Sequence, residues 1–274
     1  MYEGMLAETI QIQGHKGDEI DAYLARPLGA GPFPGVVLIH HMPGWDEASK
    51  EMARKLAFNG FATISPDMHC RERRETGLGY NHTELSAAVR AGGGVPDDRC
   101  VGDVEGAMRY LRSLPYCNSK VGVIGFCSGG RQTFLVSCRI SSVNAAVDCW
   151  GGGVVARPGE ITERQPVAPI DLTRNLNCPL LGLFGEEDQR PTPAEVAIHE
   201  QELKRLGKNY EFHMYEKAGH GFFAVDRPSY RQHAAVDGWQ KTIAFFNQHL
   251  RTEATNGQPR ARRARVAAGT GGNG

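Results

Sequence analysis

Short apolar runs alternate along this chain with longer amphipathic stretches, and that alternation restricts the fold more than any other feature. Val36-Val37-Leu38-Ile39 has no polar face, as expected of a strand covered on both sides. Ile20, Ala22 and Leu24 recur at period two and predict a half-buried strand before it. Asp46 to Asn59 predicts a helix: Asp46 is a candidate N-cap, Met52 and Leu56 share a face, and Gly60 ends it. Phe61 to Ile64 predicts the next strand, Asp103 to Leu114 a helix, and Val121 to Phe126 another strand. Further strands are expected at Val143 to Trp150, Pro179 to Phe184 and Tyr210 to Tyr215. Val236, Trp239, Ile243, Phe246 and Leu250 step by three and four along a final helix. This order predicts an α/β layered fold with a mostly parallel sheet, whose sites lie at the carboxyl ends of its strands.

At 274 residues the chain is long enough to bury a full core without disulfide or metal staples. Lys and Arg total 31, as do Asp and Glu, so the zero net charge argues against nucleic-acid binding through bulk positive charge. No apolar run approaches the ~18 residues of a membrane helix. Met1 to Gly14 shows no basic segment followed by an apolar one, so no secretory signal is expected. Seven cysteines, none in a C-x-x-C pair, suit reduced thiols in a cytoplasm, mostly as inert core residues. One domain is expected over residues 1–250. Residues 251–274, with Arg251, Arg260, Arg262, Arg263, Arg265 and several glycines, are expected to form a disordered basic tail.

The chemistry concentrates in Val121-Gly122-Val123-Ile124-Gly125-Phe126-Cys127-Ser128-Gly129-Gly130, followed by a helical pattern over Gln132 to Cys138. A strand, a tight turn of small residues and a helix match the nucleophile elbow G-x-S-x-G, with cysteine in the serine position. Ser128 competes as nucleophile, but that frame puts Phe126 where the first glycine belongs, so Cys127 fits better. The start of a helix lowers a thiol pKa, which favours the same choice.

An elbow calls for an acid and then a histidine after later strands. Leu181 to Phe184 runs into Gly185-Glu186-Glu187-Asp188, and Pro191 to Pro193 opens the next helix. Tyr215 leads through Glu216-Lys217-Ala218-Gly219 to His220. Cys127, Asp188 and His220 therefore stand in the required order. Glu186 and Glu187 compete with Asp188, which lies farther along the loop. The loop after the first buried strand, His40-His41-Met42-Pro43-Gly44-Trp45, is placed to donate a backbone N–H to an oxyanion. Met42 and Ser128 are the expected donors. Adjacent residues at a strand end face opposite ways, so His40 and His41 make a poor metal chelate and no metal is expected.

These residues resemble the dienelactone hydrolase family of α/β-hydrolases. The likeness spans about residues 8–250, in VVLIHHMPGW, SPDMHCR, DVEGAMRYLRSLP, KVGVIGFCSGG, GEEDQRPTP and YEKAGHGFF. It implies an α/β-hydrolase fold, a triad of Cys127, Asp188 and His220, and hydrolysis of a dienelactone to maleylacetate in aromatic breakdown, with no cofactor. It also singles out Asp188 among the loop's acids. Two departures stand out. Founding members carry a Glu near the cysteine where this chain has His41. They also hold a substrate carboxylate with two Arg. Arg71 looks like the first; the second would fall at Ala224, with Arg227 nearby as a candidate substitute.

Residues 70–100 fall where the fold carries a variable segment over the pocket. Candidate pocket residues are therefore Trp45, Tyr80, His82, Arg71, Arg73 and Arg74; the alternative is a polar surface loop with one short helix near Glu84 to Arg90. The expected substrate is a small lactone or ester, with no nucleic-acid or membrane partner. A broader carboxylesterase or thioesterase is the neighbouring alternative. A non-catalytic binding protein on the same fold is the alternative of a different class, and a redox-sensing thiol at Cys127 a further one.

Overall fold

The structure is a computed structural model and describes residues 4–251. The basic tail expected beyond residue 251 lies outside the described residues.

Among the described residues eight strands form one sheet: β1 (Met5–Gln13), β2 (Glu19–Pro27), β3 (Phe33–Ile39), β4 (Ala62–Pro66), β5 (Cys117–Phe126), β6 (Ala145–Cys149), β7 (Leu180–Gly185) and β8 (Tyr210–Tyr215). Their spatial order is β1-β2-β4-β3-β5-β6-β7-β8. β1–β2 and β2–β4 pair antiparallel, and every pair from β4–β3 to β7–β8 is parallel. This is the α/β architecture of the α/β-hydrolases.

Among the described residues seven α-helices cover the sheet: α1 (Glu47–Phe58), α2 (Cys70–Thr76), α3 (His82–Ala91), α4 (Asp97–Ser113), α5 (Ser128–Arg139), α6 (Pro193–Arg205) and α7 (Gln232–Leu250). The two faces of β3 explain its unbroken apolar run. Val36 and Leu38 enter one core with Met52 and Leu56 of α1 and Trp239 and Phe246 of α7. Val37 and Ile39 enter the other with Val104 and Met108 of α4 and Phe134 of α5. Burying both faces excludes water from the parallel ladder and fixes where each strand ends.

Three elements depart from expectation. The polar alternation near the start of the chain forms, over Met5–Gln13, the edge strand β1, whose outward face stays in solvent while Ile12 is buried. α4 starts at Asp97, before the expected Asp103, with acidic Asp97 and Asp98 in its first turn where the helix dipole favours them. The segment over the pocket holds two helices, α2 and α3; the Asn81 side chain caps α3 by accepting from the Glu84 N–H.

Close backbone packing sets the end of β5. A Cβ on Gly125 would lie 2.0 Å from the Gly129 carbonyl oxygen, and one on Gly129 would lie 2.3 Å from the Ile39 carbonyl oxygen. Neither obstacle is a flexible side chain. Gly125→Ala is therefore expected to destabilise the fold by about 1–3 kcal/mol or more, read as a lower urea midpoint. A midpoint equal to that of the parent would contradict this packing.

Candidate active site

Cys127 sits between β5 and α5 with φ 59° and ψ −119°, a backbone conformation that side chains rarely adopt. Its N–H is held by the Cys149 carbonyl at 3.0 Å, and its carbonyl accepts from the Gly130 N–H at 2.9 Å. The turn projects the sulfur beyond the sheet at the start of α5. There it lines one cavity with His220, Met42 and Ser128, whose imidazole and backbone N–H groups favour the thiolate form.

The imidazole arrives on the loop after β8, and its carboxylate partner on the loop after β7. Asp188 is 2 % exposed and receives His220 Nδ1 at 2.9 Å on one oxygen and 3.2 Å on the other. An ionised carboxylate only accepts, so Nδ1 carries the proton and Nε2 is left for the sulfur. The Arg190 N–H fixes the carboxylate from behind at 2.8 Å. The two loops are joined by the Glu187 N–H on the Ala218 carbonyl at 2.9 Å. Glu186 and Glu187, which competed with Asp188 in the sequence, are both exposed.

Burial works against a thiolate at Cys127, but the His220 hydrogen bond and charge and the two backbone N–H groups outweigh it and lower the thiol pKa. Burial likewise disfavours the His220 imidazolium, yet Asp188 and the sulfur raise its pKa to about 10. Both shifts run in the direction of a thiolate–imidazolium pair. The other six thiols go the opposite way: burial pushes Cys70, Cys117 and Cys178 up to about 11 and Cys138 to about 12, and Cys100 and Cys149 higher still. One fold thus holds six inert thiols and one activated thiol.

Three adjoining cavities open at this point, and all three are lined by Met42 and Arg90. One of about 440 Å³ contains Cys127, Asp188 and His220. A second, of about 290 Å³, runs over Met52, Phe126, Trp150 and Ala224 and is bordered by His41 and Arg227. The third, also about 290 Å³, passes Ser128 toward Arg131, Glu160 and Gln165.

His41, which replaces the family Glu, does not stand alone. Its Nε2 meets Asp46 Oδ2 at 2.7 Å, and Arg227 donates to that same oxygen at 2.9 Å. Asp46 Oδ1 meanwhile caps α1 through the Ser49 N–H at 3.0 Å. Burial would raise the Asp46 pKa, but His41 and Ser49 hold it well below the usual carboxylate range.

The six expected pocket residues are corrected. Arg71 lines none of the three cavities; its guanidinium grips the fully buried Asp103 at 2.8 and 3.0 Å and reaches Asp18 at 2.8 Å. Trp45 is 2 % exposed, sends its indole N–H to the Ser65 carbonyl at 3.1 Å, and packs edge-on against Tyr23. It belongs to the core. Arg73 pairs with Asp21 and Asp67, and Arg74 donates to the Glu19 carbonyl, so these cations also anchor α2 rather than face the cleft. Tyr80 and His82 border none of the three cavities either.

Two cleft residues escaped the sequence reading. Trp150 directly follows β6 and packs edge-on toward His220 with ring centroids 6.5 Å apart; its place at a strand's carboxyl end was the available signal. Arg90, near the end of α3, has no side-chain hydrogen bond or ion pair among the described residues. Only the fold brings it to the cleft.

The dienelactone hydrolase family pattern matches residues 20–250. A Methylorubrum extorquens protein assigned by inference as a carboxymethylenebutenolidase is 32% identical over 247 residues, covering 90% of this chain and 82% of its own. A Bradyrhizobium protein assigned by inference as a 2-oxo-3-(5-oxofuran-2-ylidene)propanoate lactonase is 30% identical over 251 residues, covering 90% of this chain and 98% of its own. The crystal structure of an inferred dienelactone hydrolase from Klebsiella pneumoniae superposes with a TM-score of 0.80 at 29% identity, covering 90% of this chain and 100% of that one. The chain therefore belongs to the dienelactone hydrolase family, hydrolases of enol-lactone and ester bonds.

Proposed function

We propose that this protein opens carboxylate-bearing enol-lactones by cysteine-dependent acyl transfer, with Cys127 as nucleophile, His220 as general acid and base, and Asp188 orienting it. The observation that carries the reading is a cysteine at a strained strand-to-helix turn that shares one cavity with an Asp-supported imidazole and the Met42 and Ser128 backbone. The Cys127 thiolate adds to the lactone carbonyl, and the carbonyl oxygen becomes an oxyanion between the Met42 and Ser128 N–H groups. Collapse breaks the ring C–O bond. The leaving enolate takes the proton from His220, leaving a thioester on Cys127. Neutral His220 then removes a proton from water, whose oxygen attacks the thioester, and collapse returns the thiolate and the ring-opened acid.

A thiolate leaves a tetrahedral intermediate more readily than most alkoxides, so this nucleophile suits enol and aryl esters better than amides. The lactones named for the two relatives above are enol-lactones bearing a carboxylate. Arg90 is the residue here best placed to receive such a group, because it borders all three cavities and its guanidinium is uncommitted. Arg71 and Arg227 already hold carboxylates of the protein. A broader carboxylesterase is the second reading, favoured by the apolar cavity over Met52, Phe126 and Trp150. Aromatic catabolism and a cytoplasmic setting fit the proposed substrate. A triad assembled around an activated thiol speaks for an enzyme rather than a binding protein.

Cys127→Ala is expected to abolish turnover of both dienelactone and p-nitrophenyl acetate while the thermal transition stays cooperative; retained turnover would reject the nucleophile. Iodoacetamide should alkylate Cys127 with a pH midpoint below the ordinary 9.0, because the folded thiol pKa is lowered. His220→Ala removes the strongest opposition to burial, so the midpoint should move upward; an unchanged midpoint would separate the imidazole from the thiol. Arg90→Ala should raise KM for dienelactone about 10–100-fold, the worth of a hydrogen bond to a charged group, with little effect on neutral p-nitrophenyl acetate. Equal effects on the two substrates would remove Arg90 from carboxylate binding.

A further inference from the structure

Behind the backbone donor at Met42 lies a buried histidine that the mechanism above does not use. His40 is 2 % exposed at the end of β3. The Met68 N–H points at its Nε2 at 3.1 Å, and its Nδ1 lies 2.8 Å from the His41 carbonyl oxygen. A backbone N–H can only donate, so Nε2 is the bare nitrogen. Nδ1 therefore carries the hydrogen and donates it to the His41 carbonyl. The Gly44 N–H reaches the same oxygen at 2.9 Å.

That carbonyl and the Met42 N–H belong to a single peptide group. The group is planar, with C=O and N–H pointing in opposite directions. Two donors on its oxygen fix the tilt of the plane and draw charge toward the oxygen, so the N–H at the far side becomes better aimed and more acidic. Met42 lines the same cavity as Cys127, and its N–H favours the Cys127 thiolate.

We infer that His40 is a positioning residue of the oxyanion site: as a neutral imidazole with its hydrogen on Nδ1, it orients and polarises the His41–Met42 peptide whose N–H stabilises first the thiolate and then the tetrahedral oxyanion. The second of these roles rests on the hydrolase reading above; the first does not. The surroundings keep the ring neutral. Burial is the largest influence and lowers the His40 pKa, against Asp67, the hydrogen bond to the His41 carbonyl and Asp46, with the His41 ring adding to the lowering. His69 packs edge-on at 4.8 Å, and its own pKa is lowered to about 2, chiefly by burial. A second proton on His40 would also have to sit on Nε2, facing the Met68 N–H.

The test uses the full chain with His40→Leu and His40→Asn. The Asn amide N–H falls near the position of Nδ1–H, whereas Leu offers no donor. His40→Leu should lower kcat about 10-fold with KM nearly unchanged, less than the ~10²–10³ lost with an entire oxyanion donor. It should also raise the pH midpoint of Cys127 alkylation. His40→Asn should restore both readouts even if its melting temperature drops, since the smaller side chain leaves a void. Parental kcat and midpoint in His40→Leu would overturn the proposal, as would an Asn variant no better than Leu.

Should either variant fail to fold, ¹⁵N imidazole shifts of the parent protein decide the matter. They should report an Nδ1–H tautomer at His40 that does not titrate between about pH 5.5 and 8.5; an Nε2–H tautomer or a titrating ring would overturn it. Alkylation and tautomer measurements require no substrate. A parent protein inactive on every ester would therefore sink the hydrolase reading and still leave the His40 inference testable.

Discussion

Everything chemical in this molecule depends on a non-glycine residue held in a left-handed backbone conformation. At φ 59° Cys127 would relax into an ordinary turn if its neighbours allowed it. They do not: its N–H and carbonyl are both committed, and the glycines at 125 and 129 let the β3, β5 and α5 backbones approach more closely than any side chain would permit. The strain is therefore maintained by the packed sheet around it. In return the sulfur stands where the start of a helix, a neighbouring loop and an imidazole all face it.

The electrostatics divide the charged residues into two populations. One holds the cover over the sheet in place. Arg71, Arg73 and Arg74 of α2 reach Asp103, Asp18, Asp67, Asp21 and the Glu19 carbonyl, while Arg99 of α4 returns to Glu72. The other population borders the cleft, and there the Arg90 charge is unspent among the described residues. Partly buried pairs such as Arg71–Asp103 are costly to break from one side, because the remaining charge is left without compensation. They suit a scaffold that must not move, whereas an unpaired cation suits a site that awaits an anion.

The sequence made some of this legible and concealed the rest for physical reasons. The parallel strands could be read because burial on both faces forbids polar residues, as in Val36 to Ile39. The strand–turn–helix around Cys127 could be read because close backbone approach demands glycine. The meeting of Cys127, Asp188 and His220 could be anticipated from chain order, since parallel topology brings the ends of β5, β7 and β8 to the same edge. β1 was hidden because an edge strand with a solvated face carries little apolar signal. The fate of Arg71 was hidden because its partners lie 32 and 53 residues away; an arginine in a charge-rich stretch reads the same whether it grips a neighbour or waits for a ligand. Arg90 was overlooked for the converse reason.

Asp46 has a wider consequence. A single carboxylate terminates α1, fastens the His41 imidazole after β3, and ties down Arg227 from 181 residues farther along the chain. Three pieces of backbone thus meet at one rivet on the rim of the cleft. Exchanging a helix cap for another capping residue is ordinarily a mild edit, but at this position it would loosen the doorway through which a ligand enters. Remodelling the rim for a bulkier guest would have to begin by finding those three pieces another common anchor.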